Sequence, residues 1–156
     1  MGCLPVITNH ALVRFYERFE GMDTCSIRAD LDLNPEVQFE WLMECWRYDL
    51  SPEQDSGIQL KTKIYDRKIV DHFSKNGVDE AASKLRILEI FAEAPQYARA
   101  IEQCGLLALR VITIGKETFK FEDGKLTTMY RDLGISRERS SRKKVIKDKN
   151  RYCYEI

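Results

Sequence analysis

The chain has little of what metal centres, disulfide scaffolds and membrane anchors require. It holds five cysteines, an odd number without a Cys-x-x-Cys pair, and only two histidines in 156 residues. Closely spaced Cys and His ligands are missing, so we expect no metal and no cofactor, and we interpret the cysteines as reduced thiols of a cytoplasmic protein. No apolar run approaches the ~20 residues of a membrane span, and the N-terminus lacks the basic-then-apolar pattern of a signal peptide. These features predict a protein without a membrane partner.

The chain also has no net charge, since 25 Lys and Arg balance 25 Asp and Glu, but the charges are unevenly spread along it. Residues 136–156 hold eight Lys and Arg against three Asp and Glu, a net charge of +5, which leaves −5 on residues 1–135. A basic tail on an acidic body favours contact with nucleic acid, and the densest cations in it are Arg142, Lys143, Lys144 and Lys147. The alternatives are a tail that folds back on its own domain and a solvated terminus.

The hydrophobic pattern changes from a helical to an alternating period near residue 106. Helices are predicted over about 9–20, 24–32, 36–50, 58–75, 79–92 and 96–103, with Thr8 or Asn9 as the first cap. Strands are predicted over 106–114, 117–122 and 126–130, the last two joined by an Asp123-Gly124 hairpin turn. Helices followed by strands indicate an α+β fold with a small antiparallel sheet of about three strands at its C-terminal end. We expect one domain over 1–135, with a helical insertion at 34–94, and a separate basic tail over 136–156.

Aromatic residues are concentrated in the predicted helix over 36–50. Phe39, Trp41, Trp46 and Tyr48 recur at close to helical spacing, which predicts that they belong to the core. If some of them are exposed instead, they form a surface for a partner.

The first predicted helix has a distinctive polar face. His10, Arg14 and Arg18 follow one another at intervals of four residues, so they share one side of an α-helix, and Glu17 lies near them. Leu12 and Phe15 belong to the apolar remainder. One titratable group and two fixed cations in a column suit chemistry at a phosphate.

Two separated blocks of the chain resemble a known kind of protein. Residues 7–28, with the His-Ala-x-x-Arg-x-x-Glu-Arg helix, resemble the opening of small phage and prophage proteins, and residues 95–130, with the Asp-Gly hairpin, resemble their closing strands. The layout is also similar to metal-independent ribonuclease toxins of the barnase, colicin-ribonuclease and RelE kind. Glu122 stands where the family has an arginine before Asp-Gly, which weakens the expectation of a purely cationic sheet.

The resemblance implies cleavage of RNA without a metal. His10 would exchange the proton, Arg14 and Arg18 would bind the phosphate, and Thr128 and Tyr130, two apart on the last strand, would offer hydroxyl groups. The residues alone leave open that His10 bonds a backbone carbonyl and that the arginines pair with carboxylates.

Three functions remain possible at this level. The first is a toxin-like endoribonuclease. The second is a phage protein without chemistry that binds a host or defence protein, or a phosphorylated ligand, on the same scaffold. The third is a nucleic-acid-binding accessory protein. The first requires His10, an arginine and Thr128 or Tyr130 to meet around one cleft.

Overall fold

The helices begin and end at strong local signals. A computed structural model describes residues 3–131, which form α1 (Asn9–Arg18), α2 (Cys25–Leu33), α3 (Pro35–Arg47), α4 (Asp55–Lys75), α5 (Glu80–Ala92) and α6 (Pro95–Cys104). The side chains of Thr8, Asn34 and Asp79 accept hydrogen bonds from the first-turn N–H groups of α1, α3 and α5. The predicted helices are confirmed to within a few residues. Helix α4 begins at Asp55, three residues before the predicted start at 58. Asp55, Ser56 and Gly57 are of types common in loops and also in first helical turns, so the sequence does not tell the two apart.

The α+β fold is confirmed, with a small sheet that a fourth, parallel strand makes mixed. The predicted strands are confirmed as β2 (Val111–Ile114), β3 (Glu117–Glu122) and β4 (Lys125–Arg131), which pair antiparallel, although β2 begins five residues later than predicted. A two-residue strand, β1 (Val6–Ile7), adds in parallel to β4, and the strand order is β1-β4-β3-β2. Two residues are too few to show an alternating pattern, so this strand could not be read from the sequence.

The predicted hairpin between β3 and β4 is confirmed with its turn chemistry. Asp123 and Gly124 both have positive φ, 52° and 79°. Positive φ at both central residues is the backbone of a type I′ turn, which matches the twist of the strands that it joins.

The main core lies between one face of the sheet and helices from both halves of the chain. Leu12, Ile87 and Phe119 are fully buried in it. Phe91 of α5 contacts the Phe119 ring edge-on, with 4.9 Å between ring centroids. Because α4 and α5 contribute to this core, these two helices of the segment 34–94 are integral to it, whereas Val37 of α3 lies in a second, smaller cluster with Ile64 and Tyr65.

The core prediction for the four aromatic residues of the predicted helix over 36–50 was wrong for three of them. Phe39, Trp46 and Tyr48 are 64%, 78% and 60% exposed, and only Trp41 packs inward, where its Nε1 donates to the carbonyl of Gly57 at 2.8 Å. The helix contacts α2 and α4 through a single side, which includes the buried Val37 and Cys45. Helical spacing alone does not tell which side of an amphipathic helix meets the protein.

One predicted site lies outside the described residues, and the expectation about membrane spans concerns the helices within them. The predicted nucleic-acid cluster of Arg142, Lys143, Lys144 and Lys147 lies outside residues 3–131. Within residues 3–131, every helix is too short or too polar to cross a membrane.

Thr8 joins the first helix to the sheet, and we expect its loss to destabilise the fold. Its Oγ1 accepts a hydrogen bond from the Ala11 N–H at 3.1 Å and donates one to the carbonyl of Leu126 at 2.8 Å. Thr8→Ala removes a cap and one of the two hydrogen bonds that the Leu126 carbonyl accepts from residue 8, so the free energy of unfolding should fall by about 1–2 kcal/mol in urea titrations. Thr8→Ser keeps the hydroxyl and is the matched control. Equal losses in the two variants would contradict this role.

Candidate functional site

His10 is held by a buried carboxylate on another helix. Its Nδ1 lies 2.9 Å from Oδ2 of Asp66 on α4, and Asp66 is 3% exposed. A carboxylate only accepts hydrogen bonds, so the neutral imidazole carries its hydrogen on Nδ1. Nε2 is then the accepting nitrogen, and it lies 3.4 Å from Nε of Arg14. The pair fixes both the orientation and the tautomer of His10, with its basic nitrogen beside a guanidinium group.

A single carboxylate organises the arginines next to His10. Glu17 pairs with Arg14 through one oxygen, and its Oε2 lies 3.0 Å from Nη1 of Arg28. Arg18 is a more distant partner, with 3.8 Å between its Nε and Oε1. The buried Thr24 hydroxyl also donates to Glu17. Burial alone would raise the pKa of Glu17, but the hydrogen bonds from Thr24, Arg14 and Arg28 outweigh it and lower this pKa to about 2.

Residues of α4 and of the end of α2 lie across a cleft from His10 and Arg14 and form its opposite wall. The Tyr65 hydroxyl donates to Oδ1 of Asp32 at 2.6 Å and accepts from Nε2 of Gln38 at 2.9 Å. Burial and the neighbouring Asp32 carboxylate raise the pKa of Tyr65. Nζ of Lys61 lies 3.8 Å from the same carboxylate and 4.8 Å from the centre of the Trp41 ring.

The two walls enclose a cleft of about 220 Å³. It is lined by His10, Arg14, Arg28, Asp32, Lys61, Thr62, Tyr65 and Asp66. Three cations, two carboxylates and an oriented imidazole therefore face one space, which suits a ligand that carries an anionic group beside a group able to lose a proton. In residues 3–131, no three Cys, His, Asp or Glu side chains are grouped closely enough to hold a metal ion.

The structure brings together only part of the predicted site. His10 and Arg14 line the same cleft, as their spacing predicts. Arg18 points along the helix to β4, where its Nη1 donates to the Met129 carbonyl at 2.7 Å.

The predicted meeting of Thr128 and Tyr130 with His10 is not found. Met129 lies between them and is fully buried in the core, and its partner Phe119 contacts Phe19 just beyond α1. Neighbouring residues of a strand point to opposite faces, so Thr128 and Tyr130 share the face turned away from α1. There Tyr130 lies beside Lys120, with Nζ 5.7 Å from the ring centre.

Sequence reasoning missed the residues that complete the cleft. Asp66 had a signal, since it precedes Ile69, Val70 and Phe73 by three, four and seven residues and so shares their apolar helix face. A carboxylate on a face that becomes buried requires a partner, and His10 provides it. Arg28, Lys61 and Tyr65 had no such signal, because only the packing of α2 and α4 against α1 brings them to His10.

Comparison of the chain with protein-family models, with curated proteins and with solved structures found no match. The case for a function therefore depends on the geometry of the cleft.

The Glu17 cluster predicts a specific sensitivity to acid. The pKa of Glu17 is about 2 in the folded protein, against an ordinary value of 4.5. Ionised Glu17 therefore stabilises the fold above pH 4.5, and this stabilisation disappears as the pH falls towards 2. Glu17→Gln should lower the free energy of unfolding at pH 7 by about 3 kcal/mol, and the difference from wild type should shrink between about pH 5 and 2. Urea titrations across this pH range measure it.

Glu20→Gln is the matched control on the same segment. Glu20 forms an exposed pair with Arg86, and such pairs contribute at most ~1 kcal/mol. A Glu17→Gln variant whose deficit stays constant from pH 7 to pH 2 would contradict the assignment.

Proposed function

We propose that this protein is a metal-independent endoribonuclease of the small phage-type class that its first helix and last hairpin resemble. The observation that carries the proposal is the His10–Asp66 pair beside the Arg14 guanidinium. An imidazole with a fixed tautomer, next to a group that binds phosphate bidentately, is what removal of a proton from a ribose 2′-OH requires. Arginine and lysine supply the positive charge that other nucleases take from metal ions.

The proposed reaction is an internal transesterification. Arg14 turns from Nε2 of His10 to the phosphate, and Nε2 then takes the proton of the 2′-OH. The 2′ oxygen attacks the adjacent phosphorus while the bond to the 5′ oxygen breaks. Arg14 and Arg28 stabilise the extra negative charge that develops on the phosphorane. The Lys61 ammonium on the opposite wall supplies the proton to the leaving 5′ oxygen, which leaves a 2′,3′-cyclic phosphate and a 5′-hydroxyl. Asp66 acts through His10 as a positioning residue. Arg28 and Lys61 take the place beside His10 that the sequence assigned to Thr128 and Tyr130, so the proposed reaction drops the requirement for a hydroxyl group from the last strand.

The decisive test uses both histidines of the chain. Wild type should cleave total RNA in EDTA and leave 2′,3′-cyclic phosphate ends. His10→Ala should reduce the initial rate about 10²–10⁴-fold, which is the usual contribution of a general base. His72→Ala is the matched control, because His72 is exposed on α4 and lies outside the cleft. Absence of cleavage by wild type, or equal rates for wild type and His10→Ala, would refute the proposal.

Asp66→Asn tests whether the orientation of His10 matters separately from its presence. The amide can offer an N–H to Nδ1 and favour the wrong tautomer, so cleavage should slow while the RNA affinity of the variant stays close to that of wild type. Rates measured at saturating RNA, together with anisotropy titrations on a non-cleavable 2′-O-methyl strand, separate the two effects. A variant that loses affinity but keeps its saturated rate would assign Asp66 to binding instead.

A second candidate function is attachment to a protein partner through α3. The observation in its favour is the exposed row of Phe39, Leu42, Met43 and Trp46, which recurs at intervals of three and four residues. Such a row is typical of a helix that is covered by another protein. The double variant Phe39→Ser and Trp46→Ser would then lose the partner and keep the cleavage activity.

A further inference from the structure

Helix α3 presents a row of large apolar side chains to solvent. The members of this α3 row are Phe39, Leu42, Met43 and Trp46, all of them exposed. At about 100° per residue they lie within about 50° of one line along the helix. The buried Val37 and Cys45 lie on the other side, where α3 contacts α4. The α3 row therefore faces away from the part of the chain that the structure describes.

The spacing of the α3 row is the same in both directions along the helix. Its members follow one another at intervals of three, one and three residues. In a pair of antiparallel helices related by a two-fold axis, each contact between two different residues occurs twice. Phe39 of one copy then faces Trp46 of the other, and Leu42 faces Met43, so every large side chain of the row meets an apolar side chain. The row is thus complementary to itself.

The charges beside the α3 row also complement themselves in this arrangement. Glu36 in the first turn and Arg47 in the last turn are exposed and lie within about 20° of each other around the helix axis. Arg47 pairs with Glu44 of its own helix and is still 67% exposed. Antiparallel packing brings Arg47 of one copy towards Glu36 of the other at both ends of the interface, whereas parallel packing would oppose like charges. The charges therefore favour one orientation of two α3 helices.

The exposed apolar area matches that of a weak dimer. Phe39 is 64% and Trp46 is 78% exposed, and an aromatic side chain has about 150–250 Å² of surface, so these two offer roughly 300 Å² on each copy. A contiguous apolar patch of this size is typical of an interaction site. With Leu42 and Met43 the patch approaches the ~600 Å² per partner below which associations are weak and reversible. We therefore expect a dissociation constant in the micromolar range.

From these observations we propose that the α3 row is the interface of a homodimer, in which α3 of one copy packs antiparallel against α3 of a second copy. A different protein would need neither the symmetric spacing nor the opposite charges at the two ends of the helix, so the chain itself is the occupant that this surface fits. The residues of the row and of its charged flank all lie outside the cleft beside His10. The dimer is therefore independent of the proposed ribonuclease activity.

Sedimentation velocity on the full chain measures the association. The weight-average mass should be near the monomer value of 18.3 kDa at low concentration. It should approach twice that value between about 1 µM and about 100 µM, as a Kd of about 10 µM requires. A protein that stays monomeric at about 100 µM, because another segment of its own chain or a different protein occupies the row, would overturn the inference.

A pair of matched double variants assigns the association to the α3 row. Phe39→Ser with Trp46→Ser removes most of the exposed apolar area and should leave a monomer at about 100 µM. Leu85→Ser with Leu107→Ser changes two exposed leucines on α5 and after α6 and should dimerise like wild type. All four positions are exposed, so both proteins should keep the fold, which circular dichroism checks. An unchanged Kd in the first variant, or an equal loss in both, would contradict the proposed interface.

Charge reversal tests the orientation of the two helices without changing the α3 row. Arg47→Glu should weaken the dimer about ten-fold, because two symmetric ion pairs become repulsive. Adding Glu36→Arg to Arg47→Glu exchanges the charges and should restore the Kd to within about two-fold of the wild-type value. An unchanged Kd in the single variant, or no recovery in the exchanged one, would overturn the antiparallel interface.

Discussion

The hydrogen-bonded ion pairs of the half-buried Glu17 carboxylate are the interaction on which the candidate site depends. It joins Arg14 of α1 to Arg28 of α2 and is reached by the Thr24 hydroxyl at the start of α2. Helix α2 has no fully buried residue, so its position against α1 relies on this network together with the half-buried Ile27 and Leu31. Without Glu17, the guanidinium groups would repel one another, and α2 would lose the contacts of Thr24 and Arg28 with α1. One carboxylate thus fixes both the fold of this corner and the spacing of its cations.

The same network explains why positive charge persists in a partly buried place. Ion pairs that leave water must recover the cost of desolvation through several good hydrogen bonds, and Glu17 has them. Glu17 contacts the guanidinium groups of Arg14, Arg18 and Arg28, whereas Glu40 on the surface pairs with the two cations of Arg67 and Lys68. Fixed cations next to an oriented imidazole are useful for holding an anion.

The sequence predicted the fold better than it predicted the site, and particular residues show why. Helices and the Asp123-Gly124 turn depend on nearby residues, which the chain displays directly. Which face of β4 becomes buried depends on the helices and strands that pack against it. Leu126 and Met129, three residues apart, are both buried because the register shifts where β3 and β4 pair near Lys120 and Phe121, and this shift was invisible in the sequence. It leaves Thr128 and Tyr130 on the side away from α1. The wrong core assignment of Phe39, Trp46 and Tyr48 has a related cause, since spacing defines a helix face but not its neighbour.

By itself, the sequence determined the order of the six helices and the last three strands, the cap of α1, the hairpin turn and the alignment of His10 with Arg14 on one helix face, because each depends on contacts within a few residues. Only the tertiary structure decided what surrounds that face. It placed Asp66 against His10 across 56 residues, brought Arg28 and Lys61 to the same cleft, and turned the last strand's hydroxyls away. These outcomes follow from which surfaces become buried when helices pack on a sheet, and burial is a property of the whole chain rather than of any segment.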